Sequence, residues 1–399
     1  MANSTKFGSF GAGSHDKSIN KNIFITNNKF KNVGRAIGSH AWEGSTLAPN
    51  GCAEGVYISG VVSDGTKCDI IRPEAWKDFS IQGVQNLGTV LKNGLLIDDC
   101  DRFSISDCNL RAVAENGIIV RAVENVTTST FSIDGITITG GIDGIDLKDA
   151  LNADVDKVQI SNVTGMGVRL TDCKRVTIQA PKLSNCGYNG IKAITSNTIT
   201  IAKGNIQSSG ASGVYFEDCE FSLIEGVTVS SPQSGNCISL GRSVGSSTIR
   251  VGVDVKNCTL VANNQSNIDN GGVPIDGLQA EYHQDCTFSG NTVRTTRDGI
   301  KFVTCDDINV TGNTSTFHTD FGFKAATSSY RVSFAGNMAR SNATGNGQLG
   351  TGTGGLYMTG SGGKHFVNAN DFAGSGDTPI KDNTTGADAA NVVAGGNNI

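Results

Sequence analysis

The feature that most constrains the fold of this chain is a small residue followed by an aliphatic one, repeated along most of the sequence. The commonest step between repeats is 23 residues, as from Gly94 to Gly117. Longer steps of 27, 40 and 33 residues, which end at Gly144, Gly277 and Gly355, indicate inserted loops. A repeat of this length is typical of solenoids, in which each unit buries its apolar face against its neighbours. The series comprises Gly94-Leu95, Gly117-Ile118, Gly144-Ile145, Gly167-Val168, Gly190-Ile191, Gly213-Val214, Cys237-Ile238, Gly277-Leu278, Gly299-Ile300, Gly322-Phe323 and Gly355-Leu356.

Each repeat carries short predicted strands. In residues 144–149 the apolar side chains of Ile145 and Leu147 alternate with polar ones, as a strand with one buried face requires. A second alternating segment follows in most repeats, for example KVQI before Asn162 and RVTI before Gln179. No window shows sustained helical spacing of apolar residues. We therefore predict an all-β chain that folds as a single-stranded right-handed parallel β-helix, a solenoid with coils of about 23 residues.

The repeat also sets the predicted organisation of the chain. Residues 21–345 are expected to form the β-helix, and residues 1–20 an N-terminal extension or cap. Residues 346–399 are rich in glycine but keep strand-like pieces, so we expect irregular terminal coils of the same domain. All three segments are thus predicted to belong to one domain.

Two residue types recur at positions that should face the interior. Cys100, Cys173, Cys219 and Cys305 each lie six residues after the glycine of their repeat, which predicts a ladder of small buried side chains. The total of 11 cysteines is odd, and we expect free thiols and no disulfide framework. Asparagines in the segments 289–293, 311–315 and 335–339 are expected to form amide ladders inside the bends.

Composition excludes several classes of function. The net charge of −5 disfavours a nucleic-acid-binding surface, which needs an excess of Lys and Arg. No apolar run approaches the roughly 20 residues that span a bilayer, and the polar N-terminus shows no signal peptide. The five histidines do not cluster with other ligands at metal-binding spacing, so we expect no metal and no cofactor.

Residues two and four positions after each glycine should face outward and form columns along the stacked coils. Charged and aromatic side chains cluster there from the repeat of Gly117 to that of Gly277. We take this strip as the candidate glycan-binding face. Its members are Arg121, Asp146, Arg169, Lys192, Tyr215, Glu217 and Glu281.

One interpretation of the strip is acid–base hydrolysis by Glu217 and Glu281. If a single coil separates these residues, their backbones lie about 9.6 Å apart. That distance is compatible with the carboxyl separation of roughly 6.5–9.5 Å in inverting glycosidases. The 40-residue step before Gly277 leaves room for a further coil, which would break the pairing.

A second interpretation is β-elimination on a uronate polymer. Lys192 would remove the proton, Arg169 would neutralise the substrate carboxylate, and Tyr215 would assist the leaving oxygen. Asp146 would orient Arg169 in this arrangement. The third possibility is a solvated charge ladder without catalysis, in which Asp146 and Arg169 form an ordinary cross-strand ion pair.

Two further residues at inserted loops are candidates for binding a sugar. Trp42 lies among charged residues in the segment 34–44, where its ring could stack on a sugar or close the end of the solenoid. His283 follows Glu281 at an inserted loop, and we expect the two side chains to share one face. Functional residues concentrate on loops that a rigid framework supports.

The glycine-aliphatic repeats with inner Asn and Cys ladders resemble the pectate-lyase-like β-helix superfamily over about residues 21–345. The segment 15–40 is similar to bacteriophage tail proteins and bacterial carbohydrate-active β-helix proteins. The resemblance implies a glycoside hydrolase or polysaccharide lyase that cleaves an extended polysaccharide. The alternative is a non-catalytic glycan-binding or structural tail spike. It also implies a homo-oligomer, with a trimer favoured, located on a virion tail or released from the cell by a non-classical route.

Overall fold

The structure is a computed structural model that describes most of the chain in ten segments. Its described residues form β-strands and no helix, and among them no helix is long and apolar enough to cross a membrane. The chain divides into two compact units, unit 1 (Met1–Gly187) and unit 2 (Tyr188–Ile399). The described segments are 20–38, 53–122, 128–243, 245–262, 275–340, 354–361, 363–372, 379–385, 392–393 and 397.

Unit 1 is built from three parallel sheets, each of which takes every third strand. Sheet A begins with the first strand, sheet B with the second and sheet C with the third. The strands are β1 (Asn20–Thr26), β2 (Lys29–Val33), β3 (Ile37–Gly38), β4 (Ala53–Ser59), β5 (Val62–Thr66), β6 (Ile71–Arg72), β7 (Trp76–Gln82), β8 (Gln85–Asn86), β9 (Leu95–Asp98), β10 (Asp101–Ser106), β11 (Asn109–Arg111), β12 (Ile118–Arg121), β13 (Thr128–Asp134), β14 (Thr137–Thr139), β15 (Ile145–Lys148), β16 (Ala150–Asp156), β17 (Gln159–Ser161), β18 (Val168–Thr171), β19 (Lys174–Gln179) and β20 (Lys182–Ser184).

Unit 2 repeats the same three-sheet plan, with sheet C contributing its first strand. One short additional strand, β28, pairs with β32 of sheet A. The strands are β21 (Ile191–Ile194), β22 (Asn197–Ala202), β23 (Asn205–Gln207), β24 (Val214–Glu217), β25 (Ser222–Glu225), β26 (Thr228–Ser230), β27 (Ile238–Gly241), β28 (Arg250–Val251), β29 (Val253–Lys256), β30 (Thr259–Val261), β31 (Leu278–Glu281), β32 (His283–Ser289), β33 (Thr292–Arg294), β34 (Ile300–Val303), β35 (Asp306–Thr311), β36 (Thr314–Thr316), β37 (Phe321–Ala326), β38 (Ser333–Ala335), β39 (Met338–Arg340), β40 (Gly354–Gly360), β41 (Phe366–Asn368), β42 (Ile380–Thr384) and β43 (Val392–Val393).

The register within each unit confirms the predicted stacking of the glycine-aliphatic repeat. In unit 1, Ile118 pairs with both Leu95 and Ile145, each one repeat away. In unit 2, Ile238 pairs with Val214 and also with Leu278, so the 40-residue step adds no strand to sheet C. The chain is therefore an all-β parallel β-helix, as the sequence predicts.

Close approach of successive coils explains why the repeat begins with glycine. A Cβ atom on Gly277 would lie 2.2 Å from Cγ1 of Val293 and 2.5 Å from the carbonyl oxygen of Gly299. Contacts that short with backbone atoms leave no space for a side chain. The glycine thus marks the point where each coil turns into its strand of sheet C.

The predicted cysteines are buried in the interior, and the predicted asparagine ladder is present. The described cysteines form no disulfide with one another, and Cys100, Cys173, Cys219 and Cys305 are buried. Burial raises the pKa of the Cys305 thiol to about 12, which keeps it protonated and unreactive. These cysteines are packing residues.

The asparagine ladder lies in the bends that precede strands of sheet B in unit 2. The side-chain amide of Asn291 donates to Oδ1 of Asn313 at 2.9 Å, and Asn313 donates to Oδ1 of Asn337 at 3.0 Å. Asn337 continues the ladder to Asn370 at 3.0 Å. These side chains are almost completely buried, so the ladder satisfies polar groups that burial would otherwise leave without partners.

Candidate functional site

The outward face of sheet C in unit 2 holds the candidate site. Strands β21, β24, β27, β31 and β34 pair in this order, so residues at one register position form a column. Successive side chains of these strands alternate between the buried and the partly exposed side. One column therefore contains Lys192, Tyr215, Ser239, Gln279 and Lys301.

The register decides whether Glu217 and Glu281 can act as a pair. Glu217 is opposite Gly241 in β27, and β27 pairs directly with β31, which ends at Glu281. A single coil thus intervenes, and the two backbones lie two strand spacings, about 9.6 Å, apart. The intervening residue is a glycine, and the side chain of Tyr215 from the preceding strand extends over it.

Hydrogen bonds fix both carboxylates. Nζ of Lys192 lies 2.8 Å from Oε2 of Glu217. The side-chain amide of Gln279 donates to Oε1 of Glu281, and the amide of Asn236 donates to Oε1 of Gln279 at 2.9 Å. Glu217 is therefore neutralised by a cation, whereas Glu281 is held by a neutral donor.

Tyr215 lies between the two carboxylates. A Cβ atom on Gly241 would lie 3.1 Å from the Tyr215 hydroxyl, so the ring covers this glycine. Burial raises the pKa of Tyr215 to about 12, and the charges of Glu217 and Glu281 contribute to the shift. The hydroxyl therefore stays protonated at neutral pH and can donate a hydrogen bond to a ligand.

An open groove with a volume of about 450 Å³ lies on the same face, and Glu217, Glu281 and Lys192 are not among its lining residues. Tyr215, Gln279 and Arg297 line it, together with small and polar side chains of neighbouring coils. Arg297 donates from Nε and Nη2 to the two carboxylate oxygens of Asp276, at 2.7 and 2.6 Å. The volume is within the range of roughly 300–1,000 Å³ that is usual for ligand sites.

The sequence interpretation missed a second column, one residue before the glycine of each repeat. Its side chains accept hydrogen bonds from the backbone amide at the same position of the next coil. Oδ1 of Asn93 accepts from the backbone N–H of Asn116 at 3.0 Å. Oδ1 of Asp276 accepts from the backbone N–H of Asp298 at 3.2 Å. In the sequence, this column could have been recognised from the Asn-Gly and Asp-Gly pairs that recur with the period of the repeat.

Two aspartates of this column are completely buried beside the groove. Burial and the charge of Asp276 raise the pKa of Asp298 to about 7, although Lys324 lies 3.2 Å away. Lys301 lies 3.5 Å from Asp276. No group of three or more His, Cys, Asp or Glu side chains that could hold a metal ion occurs among the described residues.

Three described residues of the predicted site belong to unit 1. Arg169 and Asp146 are register partners, but the ion pair of Arg169 is with Asp143, at 2.6 Å. The prediction that Arg169 pairs with Asp146 is wrong, because the buried Asp143 of the missed column competes for the guanidinium. Burial raises the pKa of Asp146. Arg121 donates from Nε to the buried Asp98 at 2.7 Å.

The predicted exposure of His283 is wrong. Its side chain is completely buried, whereas Glu281 is partly exposed. Tyr282 between them has a positive φ of 58°, which ends the alternation of β31 and turns the chain into sheet A. Burial lowers the pKa of His283 to about 4. Trp42 lies outside the described residues.

Comparisons with known proteins agree with this fold. The family model described as a right-handed β-helix region matches residues 93–275. Fold and match together define a right-handed parallel β-helix protein. No curated protein sequence matches the chain significantly.

Several solved structures have a similar fold at low identity. Tailspike protein 3 of bacteriophage CBA120 has a TM-score of 0.54 at 11% identity, over 83% of this chain and 56% of that chain. The A-module of mannuronan C-5 epimerase AlgE6 from Azotobacter vinelandii has a TM-score of 0.52 at 10% identity, over 83% and 90%. The Dettilon tailspike protein has a TM-score of 0.49 at 12% identity, over 81% and 62%. The chain thus spans less than two thirds of either tailspike. The two likenesses with TM-scores above 0.5 show the fold alone.

Proposed function

We propose that this protein binds an extended polysaccharide along sheet C of unit 2 and hydrolyses it with Glu217 and Glu281. The observation that carries the proposal is the direct pairing of β27 with β31, which leaves one coil between the two carboxylates. A phage tailspike and a mannuronan epimerase have the same fold, which agrees with a carbohydrate ligand.

The proposed mechanism is hydrolysis with inversion. Glu217, whose charge Lys192 neutralises, would act as the general base that activates water. Glu281 would protonate the leaving oxygen, and the Tyr215 hydroxyl would donate a hydrogen bond to the bound sugar. The backbone separation of about 9.6 Å is close to the carboxyl separation of roughly 6.5–9.5 Å in inverting enzymes.

Elimination is the less favoured chemistry for these residues of sheet C. The ammonium group of Lys192 would have to lose its proton before it could act as a base, and this would break its ion pair with Glu217. A Lys192→Ala variant that keeps cleaving would agree with hydrolysis. Products with the ultraviolet absorbance of an unsaturated uronate would favour elimination.

The test is incubation with a panel of bacterial capsular and plant polysaccharides, with new reducing ends as the readout. Glu217→Gln and Glu281→Gln should each lower the rate by about 100-fold or more, the range for losing a general acid or base. Binding of the glycan should persist, because a glutamine retains the shape of the side chain. NMR of the first product should show an inverted anomeric configuration.

Glu225→Gln is the matched control, since Glu225 is an exposed glutamate on sheet A of the same unit. Its rate should equal that of the wild type. Full activity of both the Glu217→Gln and the Glu281→Gln variant would refute the assignment of the carboxylates. Binding to a glycan without any product would favour the alternative function, a non-catalytic glycan-binding or structural tail spike.

We further propose that the protein works as a homotrimer on a virion tail or outside the cell. The supporting observation is that β1, β2 and β3 are terminal strands of their sheets among the described residues. Open strand edges favour association with another chain unless they are covered.

A further inference from the structure

Unit 1 carries a small basic pocket on its own part of sheet C. Its volume is about 250 Å³. Four cationic side chains line it, Arg35, Arg72, Lys92 and Arg121, against the carboxylates of Asp69 and Glu115. A surplus of cations on a concave surface is unusual for a chain with a net charge of −5, and it creates a local potential that attracts anions.

Buried carboxylates hold the arginines in place. Asp98 is 1% exposed and accepts from Nε of Arg72 at 2.9 Å and from Nε of Arg121 at 2.7 Å. Asp69 lies 3.3 Å from Nη2 of Arg35. Because these contacts occupy only some of the guanidinium donors, other N–H groups remain for a ligand.

Two cationic groups have unused capacity. Nε of Arg35 is buried and has no hydrogen-bond partner among the described residues. Nζ of Lys92 has no carboxylate within ion-pair distance in the described part of the unit, and its side chain is exposed at the rim. Buried donors without a partner are costly, which indicates that a ligand or solvent completes the site.

The floor of the pocket is apolar. Leu96 of β9 and Ile119 of β12 are register partners, and Leu96 is 6% exposed. Such a floor suits the apolar face of a sugar ring, and Glu115 at the wall can accept hydrogen bonds from ring hydroxyls. An arginine fork matches a carboxylate or sulfate group. The pocket is smaller than the roughly 300 Å³ lower limit of most ligand sites, so it fits one ring.

We propose that this pocket binds a single sugar residue that carries an anionic substituent, a carboxylate or a sulfate. The ring packs on Leu96 and Ile119, and the anionic group accepts hydrogen bonds from Arg121 and Arg35 and pairs with Lys92. This site is independent of the hydrolysis proposed for unit 2, because all of its residues belong to unit 1.

The test is calorimetric titration of the full chain with glucuronate, glucose 6-sulfate and glucose. At least one anionic sugar should bind about 10-fold more tightly than glucose, as expected for one charge-assisted hydrogen-bond pair. The stronger of the two identifies the anionic group. Added salt should weaken this binding, since the pocket is open to solvent.

Variants assign the binding to this pocket. The Lys92→Gln variant should fold normally because Lys92 is exposed, and its affinity for the anionic sugar should be about 10-fold lower. Lys182→Gln, an exposed lysine of β20 in the same unit, should leave the affinity unchanged. The Glu217→Gln, Glu281→Gln double variant should also bind as the wild type does. Equal affinities for glucose and both anionic sugars, or equal effects of the two lysine variants, would overturn the proposal.

Discussion

At the scale of single residues, the alternation of apolar and polar residues predicts which side chains are exposed within a strand. At the ends of a strand this prediction fails. Glu217 and Tyr215 face outward within β24, as the sequence indicates. His283 does not share a face with Glu281, because the positive φ of Tyr282 resets the alternation between them. The presence of a tyrosine at position 282 does not predict this conformation, because residues other than glycine and asparagine seldom adopt a positive φ.

His283 makes a testable prediction about stability in acid. Burial lowers its pKa to about 4, below the usual value near 6.5 in the unfolded chain. The unfolded state therefore binds more protons below about pH 6.5, and the stability that the neutral His283 contributes is lost as the pH falls toward 4. Replacement by Leu should remove this loss, roughly 1–2 kcal/mol between about pH 7 and pH 5.

The measurement is the urea midpoint of His283→Leu and of the wild type at both pH values. The variant should lose less stability on acidification and should bind glycan normally, since the buried ring does not reach the groove. An identical loss in both proteins would mean that His283 titrates normally in the folded state.

At the scale of the structural element, side-chain ladders stabilise the bends between strands. The asparagine ladder was predictable because Asn291, Asn313 and Asn337 recur in the same Gly-Asn context. The column one residue before the glycines also recurs, as Asn-Gly and Asp-Gly pairs. Its consequence for Arg169 was not predictable, since the pairing with Asp143 depends on side-chain reach and not on register.

Asn313→Ala should strongly destabilise unit 2. The Asn313 amide donates to the carbonyl of Phe288 and to Asn337, and its Oδ1 accepts from the backbone amide of Asn291. Alanine would leave these buried groups without partners, at a cost of about 2–5 kcal/mol.

Chemical denaturation measures this cost directly. Asn205→Ala is the control, because Asn205 is an exposed position of β23 in the same unit and should change stability by less than about 0.5 kcal/mol. Equal effects of the two substitutions would show that the ladder adds nothing beyond ordinary strand packing.

At the scale of the whole molecule, the repeat period predicts the fold because each coil stacks on the next in sequence order. The fold class and the stacking of glycine-aliphatic pairs followed from that period alone. The contacts within the candidate site were harder to predict, because the repeat period shows which residues are neighbours but not which hydrogen bonds they form. The sequence suggests Lys192 as a possible base, whereas its ion pair with Glu217 at 2.8 Å could not be predicted from the repeat period.

The proposed trimer is tested by the mass of the protein in solution. Sedimentation equilibrium should give three times the chain mass of 41.5 kDa. The physical reason is that association covers open strand edges, which otherwise invite disordered aggregation. A monomer of unchanged mass at high protein concentration would contradict the prediction and leave the groove chemistry unaffected.

The direct pairing of β27 with β31 has an evolutionary consequence. Two carboxylates that extend from one face of stacked coils can change their spacing only by whole repeats. Losing the repeat that contains Gly241 would bring Glu217 and Glu281 to adjacent strands, about 4.8 Å apart at the backbone. That spacing approaches the roughly 5–5.5 Å of retaining glycosidases. If Glu217 and Glu281 hydrolyse a glycan as we propose, deletion of one repeat would exchange inversion for retention while both acidic residues stayed the same.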